Sequence, residues 1–342
     1  MPNYHKTLLI AQALDPIHVG AGGSIMGRVD LTIVRDPVTR IPKIPGSSLA
    51  GVYRTYLAMA ETERNPNRTI NGKPWPTYPH CAGLGFPRGD YLGHCGTPTC
   101  PVCVIFGFAR GSDQSGGFAG LAAFTDAHIL LFPVPTQLGP YWVTSPSALR
   151  PIYPPPTSDP QSTFPFPPDH YTILVSPNDK IKNSQLNLGW LLLPTSPYPA
   201  MPQLTQTLSS RGVPNSILDH IAIVPDDLLP HLINTNLEVR TSVSIDPETG
   251  TAEEGALYIY EAIPHTTILT WEIITKNPAL FKIQSAPIQL TLPDQSPADT
   301  PDKIFRILTQ AHPYLEHLGL GGMSNRGMGR LLILPPNDQT QK

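Results

Sequence analysis

The sequence predicts an α+β fold in which two helices cover one sheet in the ferredoxin-like arrangement, and three observations carry that expectation. Helical patterns begin at Pro45 and at Thr300. Apolar segments with strand periodicity precede the first, separate the two and follow the second. Proline-rich stretches fall between these patterned segments, as insertions do.

Taken in order, Thr7-Leu-Leu-Ile-Ala-Gln-Ala-Leu14 is a short apolar run suited to a buried strand. The loop from His18 to Asp30 follows, and its glycines permit tight turns and close backbone approach. Leu31-Thr-Ile-Val34 reads as a brief strand. Pro45-Gly-Ser-Ser48 opens a helix reaching about Glu63, capped by Ser47 or Ser48, with Leu49, Val52, Tyr53 and Leu57 near helical spacing. Phe118 to Phe132 predicts a further core strand, whereas 151 to about 235 sustains no period. Leu257, Ile259 and Ile263 share a strand face that Glu261 interrupts, and Leu269, Trp271 and Ile273 alternate in the next strand. Thr300 caps and Pro301 opens the second helix, whose inner face is Ile304, Leu308, Ala311 and Leu315. It ends at Gly319, and a glycine-rich loop to Arg330 leads into the strand Leu331 to Leu334.

Composition bounds the function. At roughly 100–200 residues per domain, 342 residues allow two domains or one core with large insertions. The 42 prolines point to long ordered loops or arms, as at Pro154-Pro155-Pro156 and Phe164 to Pro168. A net charge of −3 leaves no basic footprint, so any nucleic-acid site must be local. No signal peptide or apolar run near the ~18 residues of a membrane span is visible, so no membrane partner is expected. With all four cysteines between positions 81 and 103, the expected setting is soluble, reducing and cytoplasmic.

Cys81, Cys95, Cys100 and Cys103 are spaced Cys-x13-Cys-x4-Cys-x2-Cys. Four thiolates can close a tetrahedral Zn²⁺ shell, and a terminal Cys-x2-Cys pair reaches one ion from a tight turn. His80 and His94 adjoin two of the cysteines and could replace one. The bland reading, buried or free thiols, fits poorly with such crowding in a cytosolic chain. A closed shell has no open position for water, so the metal would be structural.

The first glycine loop lacks the Lys-Ser/Thr ending of a phosphate loop and does not fit the dinucleotide fingerprint. Asp30 at its end either accepts loop N–H groups, or holds Mg²⁺ and positions an attacking 2′-hydroxyl. In the second loop, Gly321, Gly322 and Gly327 with Arg326 and Arg330 offer N–H groups and guanidinium forks to phosphate. A plain left-handed turn between helix and strand explains those glycines as well.

Several segments together resemble the RAMP superfamily of CRISPR proteins, in particular the backbone subunit of type III-B (Cmr) complexes. They are His18-Val-Gly-Ala-Gly, Gly27 to Asp36, Ile44-Pro-Gly-Ser-Ser-Leu-Ala-Gly-Val-Tyr-Arg54, Phe124 to Val134, Trp142 to Pro146, Glu254 to Pro264 and Gly321 to Arg330. The resemblance implies one RAMP domain over 1–342 with a ferredoxin-like palm similar to RNA-recognition domains. It further implies zinc-bearing fingers, placed at 64–117, and a protruding proline-rich thumb, placed at 151–250. The family's cleaving aspartate becomes Asp30, with His18 a second candidate. A lysine that commonly contacts guide phosphate is replaced by Ala50, leaving the helix N-terminus, Ser47, Ser48 and Arg54 to hold phosphate. The segment Cys95 to Gly107 is more similar to type III-A or III-D backbone subunits.

The function so implied is RNA-guided, metal-dependent endoribonuclease activity within an assembly. Its partners would be CRISPR guide RNA, complementary target RNA, further copies stacked head to tail and other type III effector subunits. Zn²⁺ would be structural, and Mg²⁺ or another divalent cation would serve cleavage. The alternatives are a non-catalytic guide-binding subunit, in which Asp30 is idle, and a zinc-containing RNA-binding module unrelated to CRISPR.

Overall fold

The structure is a computed structural model that describes residues 2–22, 29–82, 93–109, 116–153, 164–177, 181, 184–252 and 257–335. Residues 23–28 of the first glycine loop, the run Pro154-Pro155-Pro156, parts of the segments read as fingers and thumb, and Glu254-Gly255 lie outside the described residues.

In chain order the main elements are β1 (Tyr4–Ala13), α1 (Gly46–Arg64), α2 (Pro101–Phe106), β2 (Ala127–Thr136) and β3 (Gly139–Thr144). Then come β4 (Ile173–Val175), β5 (Gln185–Leu188), β6 (Leu191–Pro197), α3 (Met201–Ser210), β7 (Ile221–Ile223) and α4 (Leu229–Thr235). The last are β8 (Glu238–Ser242), β9 (Tyr258–Ala262), β10 (Ile268–Lys276), α5 (Pro301–Leu308), α6 (His312–His317) and β11 (Leu331–Ile333). The chain forms two compact units.

The first unit comprises Met1–Leu9, Pro45–Ala127 and Trp271–Leu318. The buried face of α1 is Leu49, Tyr53, Leu57 and Ala58. Tyr53 packs against Phe124, with ring centroids 5.2 Å apart, and edge-on against His312 at 5.8 Å. Burial pushes His312 down to about 4, so that ring is neutral in the core. Ile304, Leu308, Ala311 and Leu315 are all buried, as their spacing predicts. Thr300 occupies the cap position of α5 but its hydroxyl makes no cap hydrogen bond.

The entry of α1 departs from expectation. Its cap position is Pro45, which has no side-chain donor or acceptor, and Ser47 and Ser48 already belong to the first turn. The Gly46 N–H instead donates to Asp126 Oδ1 at 2.8 Å, so the cap comes from 80 residues away. Gly46 is required by crowding: a Cβ there would lie 2.4 Å from the Phe124 carbonyl oxygen. The same contact divides the strand expected over Phe118 to Phe132 into Ala122–Phe124 and β2, because Thr125-Asp126 turns aside to reach the helix.

The second unit comprises Ile10–Ile44, His128–Thr270 and Gly319–Lys342. Here β11, β1, β10 and β2 lie side by side, the fourth, first, third and second strands of a β-α-β-β-α-β chain. Antiparallel pairing joins β1 to β11 from Ala11↔Ile333 to Ala13↔Leu331, and β10 to β2 from Ile268↔Leu131. At the entry to β10, the Ala13 N–H donates to the Thr267 carbonyl at 2.9 Å and the Thr266 N–H to the Ala13 carbonyl at 2.8 Å, so the ferredoxin-like order is present. Beyond β2 the sheet continues through β3, β7, β4, β6 and β5, drawn largely from the stretch that shows no period in sequence. Leu31–Val34 forms no strand and makes only isolated bridges, Leu31↔Tyr260 and Gly20↔Ile33.

Asp126→Ala removes the remote cap and should lower stability by about 1 kcal/mol, a drop of roughly 2 °C in Tm by calorimetry. Asp126→Asn retains an acceptor and should recover most of it. Equal melting of Asp126→Ala and wild type would show that the cap contributes nothing.

Candidate active site and cysteine centre

Burial along β9 does not alternate: Tyr258 and Ile259 are half-buried, and Tyr260, Glu261 and Ala262 are all buried. A lone buried carboxylate is strongly disfavoured, so the fold brings it a partner. Arg35 donates from Nη1 to Oε1 at 2.5 Å and from Nη2 to Oε2 at 2.8 Å. The Ile33 N–H donates to Oε1 at 2.9 Å, and Arg35 Nε donates to Asn234 Oδ1 at 2.9 Å. The pair therefore fastens residues 31–35 along β9.

The first glycine loop runs on the same strand. Ile17 and Ile263 exchange backbone hydrogen bonds of 2.8 and 2.9 Å, and His18 Nδ1 donates to the Glu261 carbonyl at 2.7 Å. Asp30 and Leu31 both donate to the Ile259 carbonyl, at 2.9 and 3.1 Å. Asp30 Oδ2 accepts the Ile259 N–H at 2.7 Å. Among the described residues, Oδ1 has no hydrogen-bond partner, and the carboxylate is exposed.

The second glycine loop docks on the first. Gly322 N–H donates to the His18 carbonyl at 2.9 Å and Gly329 N–H to that of Pro16 at 2.9 Å. Gly321 sits at φ +84°, and a Cβ there would meet the His18 oxygen at 2.4 Å. Its glycine is thus explained by contact between the loops. A cavity of about 470 Å³ opens where they meet, lined by Asp30, Leu31, Tyr258, Met323, Asn325 and Arg326. The Arg326 guanidinium lies 5.8 Å from the Tyr258 ring centroid, and its Nη1 donates to Tyr258 OH and, at 3.3 Å, to Ser242 Oγ.

The structure therefore brings Asp30 and Arg326 to one cavity, and His18 to Gly321 and Gly322. His18 is buried, so it holds loops together and is not presented to solvent. Arg330 grips Asp15 with Nε at 2.6 Å and Nη2 at 3.0 Å, and this bond holds the Asp15 carboxyl below its ordinary value. Gly327 takes φ +72° in the turn beyond Arg326. Arg54 donates to the carbonyls of Phe106 and Gly107, at 2.7 and 3.0 Å, and stacks over Phe106. The forks of Arg54 and Arg330, expected on phosphate, are thus engaged by the chain itself, Arg54 half-buried and Arg330 in an exposed ion pair. Ser47 is exposed and Ser48 half-buried in the first turn of α1. Sequence reading passed over Arg35, Tyr258 and Asn325; the one available signal was Glu261 breaking an apolar face.

In the first unit the four cysteine sulfurs, all buried, lie within 4.8 Å of one another. Cys95 and Cys103 are 3.7 Å apart, and Cys81 and Cys100 4.0 Å. A tetrahedral shell with Zn–S bonds of about 2.3 Å has S–S edges of about 3.8 Å, so the set is compatible with a structural zinc. Hydrogen bonding with Cys100 lowers Cys95 to about 6 and Cys81 well below its ordinary value. Cys100 and Cys103, by contrast, are raised well above their ordinary value by the neighbouring sulfurs and by burial. His94 Nδ1 lies 3.9 Å from Cys103 Sγ, but the four sulfurs close the set without either histidine.

A profile of the family described as the RAMP superfamily matches residues 10–332. The chain is 27% identical over 266 residues to the CRISPR system Cmr endoribonuclease Cmr4 of Pyrococcus furiosus, covering 75% of this chain and 76% of that protein. It is 33% identical over 103 residues to the CRISPR system Cms endoribonuclease Csm3 of Methanothermobacter thermautotrophicus, covering 30% and 32%. Among solved structures, a type III-B Cmr-beta chain in complex with cognate target RNA superposes with a TM-score of 0.61 at 15% identity, covering 97% of this chain and 98% of that one. Oligomeric Cmr4 from Pyrococcus furiosus gives 0.55 at 18% identity, covering 98% of each chain. Both structural likenesses show the fold.

Glu261→Ala strands the Arg35 guanidinium and should destabilise by about 3 kcal/mol in urea denaturation. Loss of less than about 0.5 kcal/mol would mean that the pair does not hold this edge together.

Proposed function

The chain belongs to the RAMP superfamily, and from that premise we propose that it is a backbone subunit of a type III CRISPR effector that binds guide RNA and cuts the paired target RNA at Asp30. The observation that supports this is the exposed Asp30 carboxylate, held by one oxygen at the β9 edge and sharing a cavity with Arg326. The homologous Cmr4 and Csm3 proteins are named endoribonucleases. Target RNA, further copies of the chain and other effector subunits are the partners this reading assigns.

In the proposed reaction Asp30 accepts the proton of a target 2′-hydroxyl. The 2′ oxygen forms a bond to the adjacent phosphorus, the bond to the 5′ oxygen breaks, and water protonates the leaving oxygen. Arg326 lies on the same cavity and would hold the phosphate, whose charge its guanidinium matches. A divalent cation would be held by Asp30 with phosphate and water, since Mg²⁺ takes one or two carboxylates plus substrate oxygens. When bound, it would neutralise charge developing on the phosphate. The β8–β9 hairpin leaves Val243, Ile245 and Leu257 exposed, an apolar arm suited to the family's thumb role against nucleobases.

One observation favours the scaffold alternative: the Ile259 N–H bond alone gives Asp30 a structural use. Asp30→Asn separates the readings, because an amide oxygen still accepts that N–H while the negative charge is gone. Assembled on guide RNA with labelled complementary RNA, Asp30→Asn and Asp30→Ala should each cut about 10²-fold more slowly. Guide binding should persist in both. Undiminished cutting by Asp30→Asn would assign the chemistry elsewhere.

The cysteine centre is proposed to hold a structural Zn²⁺ that fixes the surrounding loops. Elemental analysis should find about one zinc per chain. Cys100→Ser and Cys103→Ser should lose it and become less soluble before any loss of chemistry. A metal-free chain with the wild-type melting profile would overturn the assignment.

A further inference from the structure

We infer that Arg68 is the charge-balancing and positioning partner of the four-cysteine centre, an inference that rests on the zinc reading above. Four thiolates around one Zn²⁺ leave a net charge of about −2, and burying such charge is costly unless donors and counter-charge surround it. All four cysteines are buried, so the neighbouring side chains must supply both.

Arg68 does so directly. Its Nη2 donates to Cys95 Sγ at 3.1 Å, and Nη1 lies 3.4 Å from Thr77 Oγ1 as donor. Thr77 is also bonded to a ligand-bearing segment, because its carbonyl accepts the Cys81 N–H at 2.7 Å. One guanidinium fork therefore ties Cys95 to the turn that carries Cys81. The Arg68 carbonyl in turn accepts the Trp75 N–H at 2.8 Å, and Trp75 packs on His80 beside Cys81.

Competition for this charge is removed nearby. Glu61 is held by Arg64 Nη2 at 2.5 and 2.6 Å. Among the described residues Arg68 forms no salt bridge of its own. Arg54 also places positive charge near Cys103 and Cys81, but its Nη2 is engaged by the Phe106 and Gly107 carbonyls, so the guanidinium bond to sulfur comes from Arg68. Only a planar fork reaches sulfur and hydroxyl together, so lysine would restore charge without the second anchor.

The test uses the full-length zinc-loaded chain, titrated with a chromophoric zinc chelator, in wild type, Arg68→Ala and Arg68→Lys. Arg68→Ala should weaken zinc retention about 10- to 100-fold, as losing an outer-shell partner does, with Arg68→Lys in between. In the Co²⁺-substituted chain the sulfur-to-cobalt charge-transfer band should shift in Arg68→Ala, which a merely structural residue would not cause. If Arg68→Ala does not fold, Arg68→Gln is measured in its place, since it keeps a donor and deletes the charge. Equal retention and an unshifted band in the variant would overturn the role of Arg68 alone. A wild-type chain that retains no zinc would overturn the zinc reading and this inference with it.

Discussion

The buried Arg35–Glu261 pair is the constraint on which the candidate active site depends. A carboxylate on the inner face of β9 is tolerable only with a bidentate cation and an N–H donor, and both come from the segment after Asp30. Satisfying Glu261 therefore fixes where residues 31–35 lie. Asp30, one residue earlier, is delivered to the end of β9, where the Ile259 N–H orients its carboxylate. Such a pair adds little net stability compared with an apolar core, and its use here is to specify register.

Contact between the two glycine loops is the second constraint. The backbones approach through Gly322 N–H and the His18 carbonyl, closely enough that position 321 admits no side chain. The loop thereby carries Arg326 to the Asp30 cavity, while Arg330 is turned onto Asp15. Two arginines of the same loop, four residues apart, so acquire different roles from the folded backbone.

The cysteine centre obeys the opposite logic. Among the described residues its strand pairing is one short hairpin and the Phe108–Phe118 bridge, and the four sulfurs with the Arg68 guanidinium add to the packing of the buried Val102, Val104 and Ile105. The low overall charge of the chain fits this economy. Cations are few, and several are committed inside the chain, Arg35 to Glu261, Arg64 to Glu61 and Arg68 to the Cys95 sulfur.

By itself the sequence determined the secondary-structure frame and the metal-type cluster, because both are written in local spacing. Apolar period, glycine stops and a Cys-x2-Cys turn need no distant partner to be legible, and the ferredoxin-like order followed from the sequence of those elements. Asp30 was legible as a candidate, and Glu261 was visible only as an anomaly. Tertiary structure alone decided the rest. The cap of α1 arrives from Asp126, the partner of Glu261 from Arg35, and the sheet beyond β2 from a stretch without period. It also decided that His18 and Arg54 face inward and Arg330 pairs with Asp15 while Arg326 faces the cavity, since the partner of a charged side chain is set by which backbones meet. Contacts spanning some 80 to 230 residues leave no periodic trace in a single chain.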